Sequence, residues 1–224
     1  MTLDRAAALP PSLRALAAAV FVPLLVSLVP ACDEGSEVLG PAPGTDDVRR
    51  IGVVLNSVDI SLTLFTIFPV DSAGATSTIG LAPAGSPVGF SVRGRLAAVP
   101  LGTVPAVALV DLLEEEVSET IALPAGSGAT GSAFANDSIL VVANPNRNSV
   151  SPVNYVRGTV GGEIPVGTFP QEVVPLADRL YVLNAELGPD FRPAGPGTIT
   201  VLRTSDLSVA GTIELTGRNP VGGA

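Results

Sequence analysis

Four times along the chain an apolar run ends in a turn-forming residue: Val53–Asn56, Ala97–Pro100, Val141–Asn144 and Tyr181–Asn184. Their last residues stand 44, 44 and 40 positions apart. A second run follows each, at Leu62–Thr66, Val107–Asp111, Val150–Asn154 and Ile199–Arg203. A third is centred on Ile79, Ile121, Ile164 and Ile213, and the last three of these isoleucines lie ten residues beyond Asp111, Asn154 and Arg203. Each unit closes on a glycine-containing turn, at Gly85–Pro87, Gly128–Gly131, Gly167–Pro170 and Gly217–Pro220, before a further strand such as Val88–Val92. Short apolar runs broken by Gly, Pro, Asn and Asp are the pattern of strands and turns. A single sheet of this kind cannot bury both of its faces, so successive units must stack on one another.

Four short strands in every 40 to 50 residues or so is the period of a β-propeller blade. The composition agrees: hydrophobic residues are 46% of the chain but aromatics only 4%, with 24 Gly and 21 Pro. Val, Ile, Leu and Ala therefore carry the apolar content, which suits turn-rich β-structure. The runs are continuously apolar rather than alternating, as expected of sheets covered on both faces. The predicted fold is all-β, a β-propeller of four-stranded blades with about four repeats, forming a partial propeller over residues 48–224. A β-sandwich is the rival, but it gives no reason for the constant ten-residue spacing.

The last unit is the most regular. Tyr181–Asn184, Ile199–Leu202, Val209–Ile213 and Gly217–Pro220 resemble the YVTN-type β-propeller repeat. The resemblance covers roughly residues 50–224, with departures: Gly131 stands for the turn proline in one unit, Pro100 for the asparagine in another. It implies an exported bacterial propeller, usually of seven blades, so the four repeats are expected to be part of a longer ring. An open arc would leave its two end sheets uncovered. Leu62, Leu64, Phe65 and Ile67 are expected on one end face and Ile199, Val201, Leu202 and Ile213 on the other, which would drive dimerisation or aggregation.

The N-terminus reads as an address. Arg5 and Arg14 precede a charge-free apolar run from Ala15 to Ala31, the layout of a secretory signal. Cys32 is the single cysteine of the chain and follows at once. Leu28–Cys32 resembles the lipobox of bacterial lipoproteins, although Pro30 departs from the usual pattern. That resemblance implies cleavage after Ala31, lipidation of Cys32, and anchoring in the inner or outer membrane of the cell envelope. Residues 33–47, DEGSEVLGPAPGTDD, hold too few apolar groups to pack and are expected to form an acidic tether.

Much chemistry is excluded. The 12 basic residues are all Arg, His and Trp are absent, and the net charge is -9. Ser-His-Asp and Cys-His nucleophile pairs, imidazole metal ligands and lysine Schiff bases are therefore ruled out. An acidic chain without lysine is a poor partner for nucleic acid. No cofactor, metal or catalytic residue is expected. Glu114, Glu115, Glu116 and Glu119 read as a solvated turn on the far face. Candidate binding residues sit on the loop face: Asn144, Arg147, Asn184 and, in the long insertion Asn184–Thr198, Glu186, Asp190, Phe191 and Arg192. The asparagines, with Asn56, read first as turn formers, since Asn supports tight turns by local hydrogen bonds. The expected function is a lipid-anchored cell-envelope propeller acting as a binding scaffold for a protein or small molecule. The alternative is a remnant or subunit of a quinoprotein-dehydrogenase-like propeller enzyme.

Overall fold

A computed structural model describes residues 50–68 and 76–223. Cys32, the signal-like segment and the acidic tether lie outside the described residues. Four antiparallel sheets follow one another along the chain. The first is β1 (Arg50–Asn56), β2 (Ser61–Phe68) and β3 (Thr76–Gly80). The second is β4 (Ser91–Arg93), β5 (Leu96–Pro100), β6 (Ala106–Asp111) and β7 (Glu116–Ala122). The third is β8 (Ser132–Phe134), β9 (Ile139–Asn144) and β10 (Ser149–Asn154), whose outer edge is split into β11 (Thr159–Val160) and β12 (Ile164–Pro165). The fourth is β13 (Pro170–Leu176), β14 (Arg179–Asn184), β15 (Thr198–Arg203) and β16 (Val209–Glu214). Strands pair with their sequence neighbours, as in propeller blades, and the joining segment after each blade supplies the inner strand of the next.

Side chains alternate between the faces of a strand, so each blade offers one face to the blade before it and one to the blade after. Three apolar cores fill the three junctions. In the first, Leu62, Leu64 and Ile79 of blade 1 meet Ala97, Val99, Ala106, Ala108 and Val110 of blade 2. In the second, Ala98, Val107, Leu109 and Ile121 meet Phe134, Leu140, Val142 and Val153 of blade 3. In the third, Ala133, Val141, Ala143 and Val150 meet Val173, Leu180, Val182 and Leu202 of blade 4. The unbroken apolar runs of the middle blades follow directly: both parities of β5, β6 and β9 are buried.

The end blades differ, and alternation corrects the expected lists of exposed residues. Leu62 and Leu64 face blade 2 and are buried, whereas Phe65 and Ile67 point outward. At the other end Leu202 is buried against blade 3, and Ile213 is exposed. Each end strand therefore has one covered and one open side.

The register also corrects the alignment of the second unit. The β1, β9 and β14 strands end where Asn56 pairs with Ser61, Asn144 with Ser149 and Asn184 with Thr198. In blade 2 the residue closing that turn is Leu101, whose N–H donates to Ala106 O at 2.9 Å. Leu101, not Pro100, therefore stands at the asparagine position.

At the opposite end of blade 2, Asp111 ties the β6–β7 turn by accepting from the N–H groups of Leu113 and Glu114 at 3.0 and 3.2 Å. Arg95 pairs with the same carboxylate at 3.0 Å. The acidic run Glu114–Glu119 lies in this turn and in β7, away from the asparagine ends of the strands.

Candidate functional site

Three blades carry the same polar device. Asn56 Nδ2 donates to Ser61 Oγ and Thr63 Oγ1 at 3.1 and 2.7 Å. Asn144 Nδ2 donates to Ser149 Oγ and Ser151 Oγ at 3.3 and 2.8 Å. Asn184 Nδ2 donates to Thr198 Oγ1 and Thr200 Oγ1, both at 3.0 Å. The geometry is simple: an amide at the end of one strand reaches the first and third residues of the next, which share its face. Asn144 and Asn184 are wholly buried and their Nδ2 groups are committed within the sheet, while the Oδ1 atom of each is buried with no hydrogen-bond partner among the described residues. Gly167 explains part of that burial. A Cβ there would lie 2.6 Å from Asn184 Cγ, so only glycine lets the blade-joining turn close over the amide.

An acid covers each buried triad. Glu163 Oε1 accepts from Ser149 Oγ, and Arg147 grips the same carboxylate, with Nε and Nη2 at 2.8 and 2.6 Å. The Arg147 hydrogen bond, helped by Ser149, holds the Glu163 carboxyl below its ordinary pKa. Over blade 4, Glu186 Oε1 accepts from Thr198 Oγ1 at 2.7 Å and from Thr168 N at 3.3 Å. Arg147 and Glu186 are thus already engaged in joining strands to turns.

The long insertion Asn184–Thr198 begins by docking on the blade-joining turn. Ala185 N donates to Phe169 O at 3.0 Å and Glu186 N to Thr168 O at 2.9 Å. It then forms a small hairpin closed by Gly188 N to Arg192 O at 2.8 Å, with a bridge between Leu187 and Pro193. The hairpin presents Phe191, 68% exposed, edge-on to Phe169 with ring centres 5.8 Å apart and an interplanar angle of 84°. Asp190 Oδ1 accepts from Arg192 N at 3.2 Å, and the two exposed side chains sit 3.8 Å apart as a loose ion pair. Phe169, Glu186 and Phe191 all take left-handed backbone angles, with φ of 57°, 52° and 58°. For a non-glycine residue that conformation costs about 1 to 2 kcal/mol. The turn and insertion together hold two aromatic rings against solvent at such a cost.

Of the sequence candidates, Phe191, Asp190 and Arg192 therefore form one exposed group. Glu186 ties the insertion to the turn that carries Phe169, and Asn184 lies beneath Gly167 of that turn. Arg147 and Asn144 belong instead to the Glu163 cluster of blade 3. Phe169 was missing from the sequence candidates. Its only signal was an aromatic side chain in the turn just before Pro170, and its partner stands 22 residues away in the sequence.

A second concavity lies where the inner strands converge. A cleft of about 300 Å³ is lined by Ser91, Arg93, Ser132, Phe134, Leu176 and Thr204, among others. Ser91 Oγ and Ser132 Oγ share a hydrogen bond of 2.9 Å there, and Arg93 at its rim is paired with Asp137. Its charged group is therefore neutralised internally.

No protein-family model matches this chain, and no curated protein does. Solved structures resemble it in shape. A hydrazine synthase from Kuenenia stuttgartiensis is 21% identical with a TM-score of 0.54, over 62% of this chain and 39% of its own. Apo AztD from Citrobacter koseri is 16% identical with a TM-score of 0.53, over 73% and 44%. A catalytically inactive histidine-to-alanine variant of virginiamycin B lyase from Staphylococcus aureus, with quinupristin, is 14% identical with a TM-score of 0.58, over 81% and 61%. This chain spans less than half the length of the first two. Likeness at such identity establishes architecture only: the chain is all-β with propeller-like blades.

Proposed function

We propose that this chain is a lipid-anchored binding scaffold of the cell envelope, and that its contact patch is the Phe169–Phe191 pair with Arg192. The observation that carries the reading is exposed Phe191 set edge-on against half-buried Phe169, brought there by an insertion found in one blade only among the described residues, with both rings held in unfavourable backbone angles. Strain of this kind persists where surrounding contacts fix it and concentrates at sites of function. Exposed aromatics beside an arginine are the residue types that dominate binding energy at interfaces. The expected partner is a protein or small molecule that offers an apolar group or ring to the two phenylalanines.

The anchor rests on Cys32 and the apolar run before it. A catalytic role finds less support. The lyase it resembles was made inactive by replacing a histidine, and this chain has no histidine at all. Chemistry here would have to run on carboxylates, and the acids near the patch are already hydrogen-bonded to the scaffold.

A photo-crosslinking residue placed at Phe191 in the full chain, expressed in cells and irradiated, should give a discrete adduct absent when the probe replaces Leu113. Leu113 is 66% exposed in the β6–β7 turn and serves as the control. Equal labelling at both positions, or none at Phe191, would overturn the binding patch. Intact mass of the purified protein tests the anchor separately: acyl chains on an N-terminal Cys32 are expected, and an unmodified thiol refutes it.

A further inference from the structure

We propose that Glu172 is the anion of a binding site for a small primary ammonium ion, set at the inner ends of blades 2, 3 and 4 in a gap that Gly89 and Gly131 keep open. Strand register relates these three residues. Ser91 pairs with Ala98, Ala133 with Val141 and Val174 with Tyr181. Each partner stands three residues before the one that closes its blade's turn, Leu101, Asn144 or Asn184. Ser91, Ala133 and Val174 are therefore equivalent, and two residues before them come Gly89, Gly131 and Glu172. Two blades leave the position bare, and the third fills it with a carboxylate.

The glycines make the room. A Cβ on Gly131 would lie 2.6 Å from Glu172 Cα and 2.7 Å from its Oε1, so the acid can lie across blade 3 only because no side chain starts there. Gly89 is different. Beyond its own chain neighbours, a Cβ there would meet only two described atoms within 4 Å, Glu172 Oε2 and Thr130 O, each at 3.8 Å. Acceptors from blades 4 and 3 thus converge on one unfilled point over blade 2. That distance exceeds an N–H···O bond by about 1 Å, so a nitrogen entering near this point has both oxygens in reach.

The carboxylate is placed without a counter-charge. Its Oε1 accepts from Val173 N at 3.0 Å, and its Oε2 has neither a hydrogen bond nor an ion pair among the described residues. Thr130 O accepts from none of them either, while the Thr130 hydroxyl fixes the segment by donating to Gln171 O at 2.9 Å. Glu163 and Glu186, by contrast, are tied down by Arg147 and Thr198. Glu172 is half-buried, and that burial raises its pKa. An ionised group withdrawn from water without a partner is costly, and acids perturbed in this way concentrate at functional sites. A primary ammonium supplies what is missing: one positive charge, and three N–H donors for Glu172 Oε2, Thr130 O and water. A calcium or magnesium ion needs about six oxygens or more, and two converge here.

The test is the melting temperature of the full chain in detergent and mildly alkaline buffer, as methylammonium chloride replaces tetramethylammonium chloride at constant ionic strength. Both cations are small and monovalent, and only the first has N–H donors. A ligand bound by the folded state alone raises the melting temperature with its concentration, and such a rise is expected. Glu172→Gln should weaken the apparent affinity at least about tenfold, the loss that goes with one charge-assisted hydrogen bond. Gly89→Ala should do the same, because its methyl fills the gap at ordinary contact distance and leaves the fold intact. Glu116→Gln removes an exposed charge on β7 and should leave the rise unchanged. No rise in the native chain, or an equal rise in Glu172→Gln or Gly89→Ala, overturns the site. An equal effect of potassium chloride overturns the ammonium as its ligand.

Discussion

Blades 2 and 4 solve one packing problem with opposite chemistry. At the face toward the preceding blade, blade 4 buries Asn184 with Thr198 and Thr200, and blade 2 buries Leu101 with Ala106 and Ala108. All three positions change together. A buried amide needs its hydroxyl partners, and isolated hydroxyls would be stranded beside a leucine. The position therefore tolerates either a complete polar triad or a complete apolar one. The polar form fixes strand register through directional bonds, and the apolar form relies on volume alone.

Mixing the two solutions should cost most. Leu101→Asn loses a buried side chain and leaves an amide without partners, so a stability loss of about 4 kcal/mol is expected from urea unfolding. Adding Ala106→Ser and Ala108→Thr should restore about half of it through coupling among the three positions. A triple variant no better than the single one would show that the triad is not a unit.

The reverse exchange is gentler. Asn184→Leu strands Thr200, which is buried, and crowds Gly167; about 2 to 3 kcal/mol should be lost. Asn56→Leu should cost less, about 1 kcal/mol, because Asn56 and Thr63 are half-buried and only Ser61 is left without water. Equal losses at the two sites would mean that burial is not what gives the triad its weight.

The smallest effect is in pH dependence. The Glu163 carboxyl has a lowered pKa because Arg147 hydrogen-bonds it. Its stabilising contribution is present above its unfolded value and fades as pH falls through the folded one. Glu163→Gln should therefore narrow the gap between neutral and acid stability. Glu172 has the opposite sign. Burial raises its pKa, so its neutral form suits the fold, and stability is lost as pH rises through the raised value. Glu172→Gln should raise the melting temperature slightly at neutral pH and leave it unchanged in acid.

Strand positions were legible because turns punctuate the repeat and every strand ends near a residue that favours one. Blade 2 was read one residue out of step for a physical reason. Both of its faces are buried, so the apolar run Leu96–Leu101 carries no alternation to reveal which side chain points where. The nearest turn-like residue, Pro100, then took the place of Leu101. The insertion was visible by its length, and Phe191 within it. The docking of Phe191 on Phe169 was not, since it depends on a left-handed backbone at both residues. That conformation leaves little trace in composition.

The split outer strand of blade 3 has a consequence of its own. Pro152 lies in β10, and opposite it the outer strand breaks at Gly161 and Gly162, where Gly161 N donates to Pro152 O at 2.8 Å. An outer strand normally offers a row of unpaired amides and carbonyls that a foreign strand can template upon. Two fragments of two residues each, one ending in Pro165, give no continuous row. Blade 2 guards the same edge with Glu116 and Glu119 in β7. The irregularity that looks like a flaw in the repeat is thus a barrier to sheets zipping together edge by edge in a crowded compartment.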